Sequence, residues 1–305
     1  MEVQAMTMSR EPDRSKAVGL VGVGLVGTAL AERLISHGYS VIGCDLVPER
    51  IRHLQDSGGR AVACPAELAA VADRVLLSLP DTAVVRRVLE GSNGLLEAAT
   101  LPSYVIDTTT GDPEETMALA QCLAERNVAF LDATISGSSR QIGRGEGVFM
   151  VGGQEAAFEA CLDILRALSS QVFHLGPSGA GSKAKLATNL ILGLNRLALA
   201  EGLVFADRLG LDLDRFLELV RVSPAYSAAV DTKGPKMLRG DFTPEARLRQ
   251  HHKDVTLILK YAAQAAQELP LTAMHEEVLR KAIEAGDGEL DNSAVIDEVR
   301  RRRTR

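Results

Sequence analysis

The chain is poor in several features, and each lack excludes something. It has only four cysteines, Cys44, Cys64, Cys122 and Cys161, with no close pair among them. That spacing offers neither a disulfide frame nor a zinc site and fits thiols kept reduced in the cytosol. It has no surplus of positive charge. The formal net charge is −6, so nothing draws it broadly toward nucleic acid or an anionic membrane. The one dense basic run, Arg301–Arg305, reads as a charged, fraying terminus. The opening MEVQAMTMSREPDRSKA lacks the apolar core that a signal peptide needs, and residues 1–15 read as a flexible lead-in. The long apolar stretch after Asn189 is broken by Arg196 and Glu201, which makes it too polar for a membrane span. No internal repeat is visible. These absences lead to the expectation of a cytoplasmic protein without a nucleic-acid, membrane or metal partner.

What is present is enough chain, 305 residues with 46% hydrophobic, for two domains with sizeable cores. The first half alternates β-rich runs with helical patterns. AVGLVGVG, SVIGCD, RAVA, RVLLSLP, YVIDTTT, AFLDATI and GVFMVGG read as strands, and TALAERLISHG and PERIRHLQDSG as helices. That alternation implies a parallel sheet covered by helices on both faces. After about residue 178 only helical patterns remain. The expected fold is an α/β Rossmann-type N-terminal domain over residues 16–178, followed by an all-α C-terminal domain over 179–305. The helix opening near Gly181 is expected to connect them, with a ligand cleft between the domains.

GVGLVG, comprising Gly22, Val23, Gly24, Leu25, Val26 and Gly27, is a G-x-G-x-x-G that follows a strand and opens a helix. In that context Gly22 permits a tight turn, Gly24 lets a pyrophosphate approach, and Gly27 allows close helix packing. The helix start then presents N–H groups and a positive dipole end to phosphate. Asp45 closes the next strand, at the distance where a carboxylate accepts hydrogen bonds from ribose hydroxyls. Its charge would repel a 2′-phosphate, favouring NAD, with NADP kept open by Arg50 and Arg52 on the following helix. Asp45 also reads as a plain N-cap before Pro48, and the two roles are compatible.

The segment GSKAKLATN, Gly181–Asn189, begins an otherwise apolar helix. Leu186, Leu190, Leu194 and Leu197 form the stripe expected to be core. A neighbouring face carries Lys185, Asn189, Gly193 and Arg196. Lys185 and Asn189 stand one turn apart and can meet one ligand atom, whereas Lys183 points elsewhere and reads as solvated. Hydride transfer to or from an alcohol needs a group that takes or gives the hydroxyl proton. Lysine serves if its pKa falls from about 10.4 toward neutrality. Asn189 can orient the amine or the reacting oxygen. In DATISGSS, Ser136 supplies a hydroxyl and Gly137 and Ser138 expose N–H groups suited to gripping a small carboxylate.

These motifs, in this order and spacing, resemble the β-hydroxyacid dehydrogenase family from about Lys16 to the last helix. GLVGVGLVGTALAERLISHG resembles its cofactor signature, with Val26 at a usual methionine position. LPDTAVVRRVLEGSNGLL resembles the loop along the cofactor, implying roles there for Leu79 and Pro80. IDTTTGDP implies that Thr110 sits near the nicotinamide. DATISGSSRQIGRGEGVFMVGG resembles the substrate signature, with Thr134 replacing a proline and Ser138 a glycine. GAGSKAKLATN resembles the catalytic signature, placing the proton-transferring lysine at Lys185 and its partner at Asn189, with Thr188 in place of a common asparagine. HKDVTLIL resembles the family's Lys-Asp pair, implying that Lys253, beside Asp254, closes over the cofactor. LPLTAMHEEV and GDGELDNSAVI match the late pattern.

The resemblance implies an NAD(P)-dependent oxidoreductase acting between a nicotinamide cofactor, NAD favoured, and a small 3-hydroxy carboxylic acid or its semialdehyde. An imine reductase-like enzyme shares the two-domain plan but generally lacks the lysine. A dinucleotide-binding protein without turnover is the reading from another class. Tyr226 and Lys233 are expected to line the far side of the pocket, and Lys236 and Arg239 to face solvent. The apolar VTLILKYAAQAAQEL suggests a homodimer or homotetramer packed through the helical half.

Overall fold

The computed structural model describes residues 16–302. Within them the chain forms two compact units. The first ends at Ile135 and is rejoined by Gln141–Ala180, and the second comprises Ser136–Arg140 and the chain from Gly181 onward. No linear division of the sequence anticipates that five-residue excursion.

The first unit runs β1 (Ala17–Val21), α1 (Leu25–Ser36), β2 (Ser40–Cys44), α2 (Pro48–Asp56), β3 (Arg60–Ala61), α3 (Pro65–Val71), β4 (Arg74–Leu77), α4 (Thr82–Glu90), β5 (Tyr104–Asp107), α5 (Pro113–Ala124), β6 (Ala129–Ser136), α6 (Ser139–Gly143), β7 (Val148–Gly152), α7 (Glu155–Leu168) and β8 (Gln171–His174). The strands lie in the order β3-β2-β1-β4-β5-β6-β7-β8. The pairings β1–β2, β1–β4, β2–β3, β4–β5, β5–β6 and β7–β8 are all parallel.

A sheet covered on both faces needs strands that are apolar on both sides. Every residue of β1 is buried, and successive side chains enter different cores. Val18, Leu20, Leu76, Ile106 and Leu131 pack on the face shared with α1 and α7, while Val21, Val75, Leu77, Val105 and Phe130 pack with α3, α4 and α5 residues. Helix starts follow residue chemistry. Pro48, Pro65 and Pro113 open α2, α3 and α5, where the missing N–H has no partner to lose. The Asp81 and Asp112 carboxylates cap α4 and α5. The edge strand β8 was not among the expected strands. QVFH is short and only half-buried, so its alternation carries little signal. The expected strand RAVA shortens to Arg60–Ala61.

The second unit is helical: α8 (Ala180–Arg208), α9 (Leu213–Val222), α10 (Ala228–Thr232), α11 (Gly234–Arg239), α12 (Leu248–Gln264), α13 (Pro270–Glu284) and α14 (Val295–Arg301). Its core gathers Leu197, Leu203, Leu217, Met237, Leu248, Val255, Leu279 and Val295. By length and composition alone α8 would qualify as a membrane span. Its Lys185 and Arg196 are instead buried among polar side chains of this unit. The terminal basic run does not fray at its start. Arg301 pairs with Asp287 at 2.6 Å and with Glu298, and Arg302 with Glu298 and Glu277. The acidic faces of neighbouring segments hold it. The lead-in 1–15 and the residues after Arg302 lie outside the described residues.

Candidate active site

In the first unit the expected cofactor residues sit at the carboxyl ends of β1, β2, β4 and β5. β1 lies between β2 and β4, so the sequential order reverses there. Open α/β sheets bind ligands at such a reversal. The three glycines divide by what a side chain would meet. At Gly22, with φ +90°, a Cβ would strike the Ser78 carbonyl oxygen, and at Gly27 it would strike the Gly22 carbonyl oxygen. Both are required by the fold. At Gly24 a Cβ would meet nothing within 4 Å, so its lack of a side chain leaves room beside the loop. Gly24 is also the N-cap of α1. No side chain caps that end and the first turn carries no acidic residue. An uncapped N-terminus beside open space is what a pyrophosphate requires, and the residues present fit a dinucleotide.

The Asp45 carboxylate is 6% exposed and bound to the same loop. Its Oδ2 accepts from the Val23 N–H at 2.7 Å, its Oδ1 from the Val47 N–H at 2.9 Å, and Arg50 Nη1 lies 3.3 Å from both oxygens. Asp45 is not the N-cap of α2; that position is Val47. Arg50 is therefore engaged by Asp45, while Arg52 pairs with Glu49 at 2.7 Å. Leu79 and Pro80 follow β4, and the Leu79 N–H donates to Thr109 Oγ1 at 3.2 Å. Thr108 donates to the Leu77 carbonyl. Two of the three threonines thus tie the ends of β4 and β5 together, and Thr110 is the half-exposed one. Sequence reasoning had no signal that set Thr109 apart.

The segment expected to bind substrate begins where β6 ends. Ser136 is its last residue, and Gly137 has φ +148°, a region where side chains are strained. Ser138 is half-buried. Thr134, where the family has proline, donates from Oγ1 to the Met150 carbonyl at 3.3 Å and anchors β6.

In the second unit α8 buries the row that carries the polar residues. Lys185 is 7%, Asn189 4% and Arg196 3% exposed, with Gly193 buried between them. The expected core stripe is only partly core: Leu186 and Leu197 are buried, Leu190 and Leu194 half-buried, and the neighbouring Ile191 is 59% exposed. The reason lies on α12 and α13, which turn His251, Asp254 and His275 inward, so the polar row finds polar neighbours. At Gly193 a Cβ would approach His251 Nε2 and His275 Cε1, each at 2.6 Å. Lys183 is exposed, as expected.

Asn189 Nδ2 donates to Asp254 Oδ2 at 2.9 Å, and the Lys253 amine lies 3.2 Å from Asp254 Oδ1. Asp254 therefore holds both partners at once; the resemblance implied its pairing with Lys253, and nothing in the sequence signalled its bond to Asn189. Fixing the amide this way leaves its carbonyl oxygen to accept from a ligand or an amine. Burial pushes the Lys185 amine down to about 8. The Asp254 carboxylate opposes the shift, and Arg196 and Lys253 add to it. That is the range a proton-transferring lysine needs near neutral pH. Other expectations are corrected. Lys233 does not face a pocket: it is buried against Asp291 at 2.8 Å. Lys236 is only 13% exposed and donates to the Thr243 carbonyl, with Glu245 at 3.7 Å. Tyr226 is half-exposed, its hydroxyl on Asp231.

Residues 17–176 match the family described as the NAD binding domain of 6-phosphogluconate dehydrogenase. Residues 179–299 match that described as NAD-binding of NADP-dependent 3-hydroxyisobutyrate dehydrogenase. The L-threonate dehydrogenase of Cupriavidus necator is 34% identical over 92% of this chain and 95% of its own. The crystal structure of 3-hydroxyisobutyrate dehydrogenase from Salmonella typhimurium superposes with a TM-score of 0.85 at 31% identity, covering 92% of this chain and 99% of that one. An imine reductase from Pseudomonas sp. is more distant, with a TM-score of 0.62 and 23% identity over 93% of this chain and 99% of its own. With the glycine cradle, the buried lysine and both domain matches in place, the chain belongs to the β-hydroxyacid dehydrogenase family, whose reaction is NAD(P)-dependent hydride transfer on small hydroxy acids.

Proposed function

We propose that the chain oxidises a small 3-hydroxy (or 2-hydroxymethyl) carboxylic acid, or reduces the matching semialdehyde, with Lys185 as general acid/base and NAD preferred to NADP. The observation that carries this reading is the buried amine of Lys185 one turn from an asparagine held in place by Asp254. A nicotinamide, when bound, takes or gives the hydride. The chain supplies the rest. Gly24 and the start of α1 would receive the pyrophosphate, with Val23, Leu25 and Val26 in the loop, and Leu79, Pro80, Thr110 and Lys253 are the further residues that would hold the cofactor. Ser136, Gly137 and Ser138 grip the carboxylate. In oxidation Lys185 Nζ accepts the hydroxyl proton, and in reduction it returns one to the carbonyl oxygen. Asn189 orients the reacting oxygen or the amine.

NAD is favoured because Asp45 is a buried anion where a 2′-phosphate would lie. With Arg50 offsetting part of the Asp45 charge, the repulsion costs about 1 kcal/mol. The relatives suggest L-threonate and 3-hydroxyisobutyrate as the first acids to assay. The test is nicotinamide absorbance with each cofactor and a panel of small hydroxy acids. Turnover confined to imines would overturn the reading. Because the base must be unprotonated, kcat/KM for oxidation rises with pH and levels off above about 8.

The same reading includes self-association. The apolar residues of α12 proposed for it are largely committed to the unit's own core, with Val255 and Ile258 buried. Large exposed apolar side chains lie instead on α8, the turn after it and α9: Ile191, Phe205, Leu209, Leu219 and Val222. Such a face favours a homodimer or a dimer of dimers. Light scattering that shows a monomer at micromolar concentration would remove this part.

A further inference from the structure

Arg196 has no evident work in the reaction, and its setting is costly. It is 3% exposed, and its Nε and Nη1 are buried without a hydrogen-bond partner. A buried guanidinium is normally matched to a carboxylate. The Asp291 charge acts on Arg196 without a hydrogen bond to its Nε or Nη1, and Asp291 and Asp254 each hold other partners. Asp254 holds Asn189 and Lys253. Asp291 holds the Lys233 amine at 2.8 Å and accepts from the Glu245, Ala246 and Ser293 N–H groups and the Ser293 hydroxyl.

The remaining neighbours are imidazoles. His251 on α12 and His275 on α13 fill the gap at Gly193, with ring centroids 5.2 Å apart, and His251 Nε2 is also buried without a partner. Burial and the charge of Arg196 hold both below the usual histidine range, His275 at about 4. They are therefore neutral at physiological pH and cannot offset the guanidinium. Lys185, Asn189, Gly193 and Arg196 share one face of α8 over three turns, roughly 16 Å along the axis. The charges of both Lys185 and Arg196 act on His251 between them. The interior thus carries Lys185, Arg196 and Lys233, with Lys253 at its edge, and Asp254 and Asp291 are the carboxylates paired with Lys253 and Lys233.

We propose that Arg196 is a positioning residue for proton transfer: its buried charge, hydrogen-bonded to no carboxylate and set behind Asn189 on the face that carries Lys185, favours the free-amine form of that lysine. In a poorly screened interior, two like charges disfavour each other. The imidazoles pass the field on without cancelling it, and the glycine at 193 lets them pack there. The inference rests on Lys185 being the group that moves the proton.

The test is competitive acetylation of the full-length protein with acetic anhydride from neutral to alkaline pH. Mass spectrometry reads the Lys185 peptide, with exposed Lys183 correcting for reagent. Arg196→Met removes charge and donors, while Arg196→Gln keeps the N–H donors and drops only the charge. Both variants are expected to raise the Lys185 midpoint by roughly one pH unit, a loss of about tenfold in free amine below it. The kcat/KM profile should move by the same amount. If Arg196 were only a packing group, Arg196→Gln would behave as wild type, and an unmoved Lys185 midpoint in the folded variants overturns the proposal. A wild-type Lys185 titrating near the ordinary 10.4 overturns it without any variant. Failure of the underlying reading looks different, because Lys185→Met would then keep its turnover.

Discussion

The two units assemble their functional residues from different material. In the first, main chain does most of the work: an uncapped helix start, a glycine with open space beside it, and a carboxylate that fastens the loop. In the second the work falls to charged side chains on helix faces, the buried Lys185, Arg196 and Asp254 with Lys253 beside them. A backbone site is insensitive to proton concentration and is set by sterics. A site of buried charges is tuned by its neighbours and responds to pH. One chain thus combines a loop set mainly by backbone sterics with a row of buried charges that tune one another.

The largest effect expected from breaking this comparison is at Lys185. Lys185→Met should lower turnover by about 10²- to 10⁴-fold while NAD affinity, measured by fluorescence titration, stays near wild type. A comparable loss of NAD binding would show that the lysine belongs to the cradle. Next comes Asp291, fully buried and ion-paired with Lys233. Burial raises its carboxyl, but the Lys233 ammonium and the N–H donors outweigh that and hold it at about 2. Its contribution is therefore complete above the unfolded carboxylate range and is lost as pH falls toward 2. Asp291→Ala should cost about 3–5 kcal/mol in denaturant unfolding, since it strands the Lys233 charge.

A sharper and smaller contrast separates the glycines. Gly27→Ala forces a methyl against the Gly22 carbonyl and should destabilise the fold by about 1–3 kcal/mol. Gly24→Ala should leave the melting temperature almost unchanged, within about 0.5 kcal/mol, yet weaken NAD binding by roughly tenfold. If both act on stability alone, the cradle reading of Gly24 fails. The smallest effect expected is at Asp45→Asn, which keeps an acceptor for the Val23 N–H and removes the charge. The ratio of NAD to NADP kcat/KM should fall by a few-fold to about tenfold.

The same division explains what was legible in the sequence. β1, the glycine loop and Asp45 could be read because backbone constraints leave marks: a glycine where φ is positive, a run apolar on both faces, a proline at a helix start. Lys185 and Asn189 could be read because helical spacing puts them on one face. What could not be read was which face of α8 turns inward, because that is decided by His251, Asp254 and His275, which lie far along the chain. Hydrophobicity assigned the core to a leucine stripe that is only half-buried, and left Lys233 to a pocket although its partner, Asp291, is 58 residues away. The strand β8 escaped because four residues, alternately exposed, carry too little periodicity.

Asp45 joins two duties in one carboxylate. The group proposed to discriminate between cofactors also accepts the Val23 N–H at 2.7 Å and fixes the glycine loop. Redesign of coenzyme choice is consequently a coupled problem. A shorter neutral residue that admits the extra phosphate also unfastens the turn, so the first round of such an effort would lose affinity for both dinucleotides. A successful swap needs a compensating acceptor for that amide, brought in by a second substitution.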